Sequence, residues 1–180
     1  MGAPGDGPDE KELERRVVRL TGEIDDEKTN VVTAQLLFLQ FHDARKDIHL
    51  IINSPGGSVT AGLAIHDTIQ YVKPAVATCA TGQAAGMALL LLAAGRRGKR
   101  TATPHARLQM TDLSSAKPRK DASREEIERL VRSIDDIFIK TTGRSPEEIE
   151  DARKRQRAFS LEEALAFGLV DELVEGPPRF

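Results

Sequence analysis

The stretch from Val76 to Gly95 constrains the fold more than any other, because small residues join an apolar strand to an apolar helix there. Its pattern predicts a buried strand over Val76–Ala80, a tight turn over Thr81–Gly86 and a helix over Met87–Ala94. Such a junction places one residue beside the free backbone N–H groups of the helix start, where many enzymes hold a nucleophile. Here that residue is Gly86, which has no side chain.

Apolar runs and helical patterns alternate along the rest of the chain, which predicts an α/β domain with a largely parallel sheet. Strands are predicted at Val17–Leu20, His49–Asn53, Lys99–Thr103, Arg107–Met110 and Leu169–Val174. Helices are predicted from Asp25 or Asp26 to about Leu39, over Val59–Val72 and Ser123–Thr142, and after capping boxes at Ser145 and Ser160. The first of these is apolar around much of its girth, so we expect it to be covered on more than one side. Gly95 stands where a helix-ending glycine is expected.

Composition and charge argue against several classes of protein, namely those that bind nucleic acid, span a membrane or are secreted. A chain of 180 residues suits one domain with a real core, and its net charge of −2 shows no bias toward nucleic acid or membranes. The longest apolar run, Met87–Ala94, is too short to cross a bilayer, and Met1–Asp9 lacks the pattern of a signal peptide. We therefore expect a cytoplasmic protein. The single cysteine, Cys79, is expected to be buried and inert, and neither a metal nor a cofactor is predicted.

Two glycine-bearing turns follow predicted strands, namely Asn53–Ser58 (NSPGGS) and Thr81–Met87 (TGQAAGM). Each alone is typical of an ordinary tight turn. Together, with the segments KDIHL, INSPGGSVTAG, GQAA, TG, EEIE and FGLVD in this order, they give the chain a close resemblance to the Clp protease proteolytic subunit (ClpP) family. The resemblance covers about residues 16 to 175.

The resemblance implies a crotonase-like α/β fold of repeated ββα units with a projecting handle helix, within about residues 112–142. Residues 16–176 would form one domain, residues 1–15 a disordered or axial segment with disorder to about residue 12, and residues 177–180 a tail. Family members stack two heptameric rings around a chamber that an AAA+ unfoldase serves.

The resemblance maps the family's catalytic triad onto three positions of this chain. The nucleophilic serine falls at Gly86, the general-base histidine at Thr111 and the orienting aspartate at Ala152. The backbone N–H donors of the oxyanion hole fall at Gly57 and Met87. A serine protease needs a hydroxyl to attack, an imidazole to take its proton and a carboxylate to hold that imidazole. We therefore expect an inactive subunit, similar to the ClpR subunits, that acts structurally or as a regulator with itself or with an active paralogue.

Two alternatives remain open. The first is an active hydrolase with a relocated nucleophile at Ser58, Ser114 or Ser115, toward which Asp112 or Asp151 could turn. The four histidines, His42, His49, His66 and His105, all fall away from the triad positions, which argues against a relocated base. The second is a module that binds a peptide or small molecule in the vacant pocket.

Two departures from the family pattern bear on partners. The start of the handle, Leu113–Lys120, has no glycine and carries Pro118, which removes a donor from any strand ladder across the ring interface. The aromatic pocket for the unfoldase loop keeps Tyr71, but Ile51 and His66 stand where tyrosines are usual. These changes argue against binding of the usual unfoldase loop.

Overall fold

The computed structural model describes residues 10–112 and 123–174. In chain order the elements are α1 (Glu10–Glu14), β1 (Val17–Thr21), α2 (Asp26–His42), β2 (Ile48–Ser54), α3 (Val59–Tyr71), β3 (Val76–Ala85), α4 (Met87–Ala93), β4 (Arg100–Ala102), β5 (Arg107–Gln109), α5 (Arg124–Thr142), α6 (Pro146–Lys154), β6 (Ala158–Phe159), α7 (Leu161–Phe167) and β7 (Glu172–Leu173). None of the helices in these ranges is long and apolar enough to cross a membrane.

The strands form a single sheet in the order β1-β2-β3-β4-β7. The long strand β3 pairs with β2 on one side, and on the other side first with β4 and then with β5. All pairings are parallel except the one between β5 and β6. The sequence-based prediction of an α/β domain is confirmed, because continuous apolar runs such as β2 are buried on both faces of the sheet.

The two faces of the sheet pack differently because side chains alternate along each strand. Leu50 and Ile52 face the helices and belong to the main core. Ile51, between them, lies on the opposite face in a small cluster with Val17 and Cys79. Cys79 is buried as expected, and burial raises the pKa of its thiol, so the neutral form is favoured.

The predicted turn at Thr81–Gly86 is wrong, because β3 continues to Ala85. Its second half is held by β5, with Gln83 paired to Arg107 and Ala85 to Gln109. The sequence could not reveal this, since the partner strand is supplied by a later segment.

The prediction that Gly95 is the glycine that ends a helix is also wrong. The helix α4 ends at Ala93, its C-cap residue Ala94 has right-handed backbone angles, and Gly95 does not adopt the left-handed conformation of a helix-ending glycine. Glycine is needed there because a Cβ atom would collide with the Thr78 side chain. Thr78 in turn donates a hydrogen bond to the Leu92 carbonyl at 2.7 Å, which ties β3 to the end of α4.

The predicted long helix is confirmed as α5, capped by Ser123 and closed by Gly143 in the left-handed conformation. Its buried residues, Ile134, Phe138 and Thr142, all lie in its second half, so the first half projects from the body as a handle. Both capping boxes are confirmed, and Asp25 caps α2. The last strand is shorter than predicted, and β6 was not predicted.

The N-terminal expectation is corrected in part, because residues 10–12 belong to α1 rather than to a disordered tail. Arg16, directly after it, donates hydrogen bonds to four carbonyl oxygens at the end of α2 and in the following turn. This anchoring holds the chain where α1 meets β1. The expectations for residues 1–9, for Leu113–Lys120 and for the tail lie outside the described ranges.

Candidate functional site

Gly86 occupies the junction between β3 and α4. Its backbone angles, φ 54° and ψ −122°, are ones that residues with a side chain rarely adopt. The Gly86 N–H donates to the Gln109 carbonyl at 3.1 Å, and its own carbonyl accepts from the N–H groups of Leu89 and Leu90. The junction is therefore fixed on both sides, and it has the shape of the sharp strand-to-helix turn that displays a nucleophile.

Thr111 lies directly against this glycine. A Cβ atom built on Gly86 would sit 2.7 Å from Oγ1 of Thr111, and its three nearest neighbouring atoms all belong to that side chain. The contact arises because Ala85 is paired with Gln109 in the sheet, so the residues that follow the two strands meet at the same edge. The sequence predicted both positions as parts of one site, and the structure brings them together.

Ala152 lies on α6 and is only 1% exposed. Its carbonyl accepts from the Arg157 N–H at 3.0 Å, and the Arg157 carbonyl accepts from the Met110 N–H at 2.9 Å. These two bonds join the end of α6 to the residue before Thr111. The three positions predicted for the triad are thus connected by contacts at one edge of the sheet, and they carry a hydrogen, a hydroxyl-bearing side chain and a methyl group.

An ionic cluster of Arg153, Asp135 and Asp112 lies beside these positions. Arg153 is buried, and its guanidinium donates to both carboxylate oxygens of Asp135 at 2.9 and 3.1 Å. It also approaches Asp112 at 3.5 Å. The cluster links the segment after β5 to the handle helix and to α6.

Sequence reasoning missed Arg153 and Asp135, although a signal existed. Ile149, Ala152 and Arg153 are the buried residues of α6, at the spacing of one helix face, which places an arginine among apolar residues. A buried arginine requires acceptors, and Asp135 supplies them from α5. The alternative in which Asp151 turns toward the site is not supported, since Asp151 pairs with Arg155 at 2.7 Å on the exposed side of α6.

The two predicted oxyanion positions lie close to the same junction. A Cβ atom on Gly56 would lie 3.3 Å from the Met87 nitrogen, so the glycine turn after β2 presses against the start of α4. Gly57 forms a bridge with Ile24, and its φ of 150° and the contact of any Cβ with Ile24 both require glycine. The glycine turn after β2 therefore packs against the first residue of α4, where the second predicted donor position lies.

The Ser58 hydroxyl serves the fold. Ser58 caps α3, accepting from the Ala61 N–H at 3.4 Å, and contacts the Thr60 hydroxyl. Ser114 and Ser115 lie outside the described residues. His105 stands before β5 and Thr111 after it, a distance of about 20 Å along an extended chain.

The three predicted unfoldase-pocket positions lie on two different elements, β2 and α3. Ile51 lies on the open face of the sheet, whereas His66 lies on α3, on the helical face. Tyr71 ends α3 with 73% of its surface exposed. His66 contacts Asp67, with Nδ1 and Oδ1 3.0 Å apart, and borders a cleft beside α4 and α5.

A comparison with models of protein families places the whole domain in one of them. The family model described as Clp protease, a family of serine-type proteases, matches residues 9–177, which includes every described element and each of the positions discussed above. The match covers most of the chain and agrees with the α/β fold and the handle helix. The chain therefore belongs to the Clp protease family.

Proposed function

We propose that this chain is a catalytically inactive subunit of a Clp-type assembly, with a structural or regulatory role. The contact between Gly86 and Thr111 carries the proposal, because the Thr111 hydroxyl lies only 2.7 Å from the place where the Cβ of a nucleophile would stand. Glycine offers no attacking group, and a threonine hydroxyl does not accept a proton near neutral pH. This chain thus has neither a nucleophile nor a base at the positions where the family is expected to hold them.

The surroundings of Ala152 support the same proposal. An orienting carboxylate at this position is replaced by a buried methyl group, and the two nearby aspartates that the structure describes, Asp112 and Asp135, are engaged by Arg153. An ion pair that ties the handle to α6 stabilises the framework but does not activate a nucleophile. The donor positions at Gly57 and Met87 keep the shape of an oxyanion hole, which has no catalytic use without an attacking group.

Assembly is supported by the outer face of α2. Thr29, Val32, Leu36 and Leu39 bury one face of this helix in the core. The opposite face carries a second apolar row at alternating spacings of three and four residues, formed by Val31, Ala34, Phe38 and Phe41. Phe38 is 53% exposed and Phe41 84% exposed, which is unusual for phenylalanine on an isolated subunit. We call this row the outer stripe of α2.

The outer stripe of α2 supports the expectation that this helix is covered on more than one side, since the core covers only its opposite face. Members of the family assemble into rings with themselves or with paralogues, and we propose that a neighbouring ring subunit covers the stripe. The partner is a second copy of this chain or an active paralogue. The changed residues at Ile51 and His66 favour an assembly that does not depend on the usual unfoldase loop.

The proposal is tested with the purified full chain, a fluorogenic peptide and a serine-reactive fluorophosphonate, beside an active Clp protease as the positive control. We expect neither turnover nor labelling of this chain. Clear labelling would contradict the proposal and favour a relocated nucleophile. Mass spectrometry of the labelled peptide would then identify the position of that nucleophile. Native mass measurement, alone and after co-expression with the host's Clp-type subunits, then identifies the assembly.

A further inference from the structure

A cleft with a volume of about 370 Å³ lies between α3, the end of α4 and the second half of α5. The charged and titratable residues that line it are all basic, and we call it the basic cleft: His66, Arg97, Arg100 and Lys140. Two further cavities, one beside α1 and one between α5 and α6, have mixed acidic and basic linings. No carboxylate is among the lining residues, although Asp67 contacts His66 and Asp171 pairs with Arg100.

The floor of the basic cleft is already neutralised. Arg100 is buried, and its guanidinium contacts Asp171 through Nε–Oδ2 at 2.8 Å and Nη2–Oδ1 at 2.6 Å. Its Nη1 donates to the carbonyls of Ala93 and Thr141, both at 3.2 Å, and Gln70 donates to the Ala94 carbonyl at 3.0 Å. The negative ends of α4 and α5 therefore have partners and do not need the cations at the rim.

The rim carries two cations, Arg97 and Lys140, from separate elements. Within residues 10–112 and 123–174, neither of their side chains makes a hydrogen bond or ion pair. Arg97 lies in the loop after α4 and Lys140 in the last turns of α5, so the sequence separates them while the fold places them around one cleft. Like charges held around a cleft repel one another, and an anion between them removes that cost.

We propose that the basic cleft binds a phosphate group. A guanidinium fork and an ammonium donate to different oxygens of a tetrahedral anion, whereas a planar carboxylate offers oxygens in one plane only. The His66 ring forms a further wall from α3, and the volume leaves room for a group attached to the phosphate. This site lies away from the junction at Gly86, and the proposal stands whether or not the chain is catalytically inactive.

The test is calorimetric titration of the purified full chain with inorganic phosphate, at constant ionic strength, with acetate as the competing carboxylate. Arg97→Gln/Lys140→Gln is compared with a matched control, Lys73→Gln/Arg129→Gln, which removes two exposed cations outside the basic cleft. We expect a dissociation constant that rises at least tenfold in the first double variant and stays within twofold in the control. Thermal unfolding without phosphate verifies that both variants fold.

A second titration, with a short phosphoserine peptide and its unphosphorylated form, separates two sources of the group. Tighter binding of the phosphopeptide than of inorganic phosphate indicates a phosphorylated protein segment, and equal affinity indicates a free anion. The proposal is overturned if millimolar phosphate does not bind, if acetate competes equally at the same concentration, or if both double variants bind alike.

Discussion

A Cβ atom at Gly86 would lie 2.7 Å from Oγ1 of Thr111, closer than two such atoms approach in folded proteins. The two positions are therefore coupled, because any side chain at position 86 would meet the Thr111 hydroxyl.

The first prediction concerns Gly86→Ala, which we expect to lower the free energy of unfolding by about 3 kcal/mol. Backbone strain at positive φ and the collision with Thr111 each contribute about half of this loss. Gly98→Ala is the matched control, because Gly98 has a φ of 84° and no atom within 4 Å of an added Cβ. It should cost only about 1 kcal/mol in the same urea titration.

Thr111→Ala should restore part of the stability lost in Gly86→Ala. Removing the hydroxyl leaves the Thr111 Cβ as the neighbour, at 3.8 Å from the new methyl group, which is an ordinary contact. The double variant should therefore lose only the strain component, about 1–2 kcal/mol. A double-mutant cycle with no coupling between the two substitutions would show that they do not share the space.

The second prediction concerns the pH dependence from Asp171. Burial alone would raise the pKa of this carboxylate, but the Arg100 guanidinium and the N–H groups of Arg100 and Gly98 outweigh it and lower the pKa below its usual value. A lowered folded-state pKa stabilises the fold above the unfolded pKa, about 4, and this stabilisation is lost as the pH falls through the folded-state value.

Asp171→Asn should accordingly destabilise the protein at pH 7 by about 3 kcal/mol, since it leaves the buried guanidinium of Arg100 without its counter-charge. The difference from the unsubstituted protein should shrink as the pH falls below about 4. Asp151→Asn is the control, because its pair with Arg155 is exposed and contributes little. A difference that stays constant with pH would contradict the role given to ionisation.

The third prediction concerns Ser58, which caps α3. Ser58→Ala should lower the free energy of unfolding by about 1 kcal/mol and leave the absence of fluorophosphonate labelling unchanged. Ser133→Ala, in an exposed position within α5, should change stability by less than about 0.5 kcal/mol. Labelling of the unsubstituted protein that disappears in Ser58→Ala would identify a relocated nucleophile.

The fourth prediction concerns the outer stripe of α2. Phe38→Glu/Phe41→Glu should reduce the mass of the assembly in sedimentation experiments, because two charges cannot be buried against a neighbour without partners. The stability of the monomer should change little, since both side chains are exposed. Leu165→Glu, at an apolar residue of α7 that is 43% exposed, is the control and should leave the mass unchanged. An unchanged mass in the double variant would place the interface elsewhere.

Much of the fold could be predicted because its signals are local. Capping residues at Asp25, Ser123, Ser145 and Ser160 fix where helices begin through hydrogen bonds to residues three positions later. Apolar runs define β1 and β2, and the motif order identifies the family. The predictions that failed depend on contacts between separate segments. The strand β3 is extended by pairing with β5, which follows it, and β6 exists only because β5 pairs with it.

For the candidate site, too, some features follow from the sequence and others only from the tertiary structure. The sequence by itself determined that Gly86, Thr111 and Ala152 cannot supply a nucleophile, a base and a carboxylate, because side-chain chemistry does not depend on the fold. Only the tertiary structure decided that the Thr111 hydroxyl fills the space beside Gly86 and that Arg153 engages Asp112 and Asp135. Those contacts join residues far apart in the chain, and distances between such residues are set by strand pairing and helix packing.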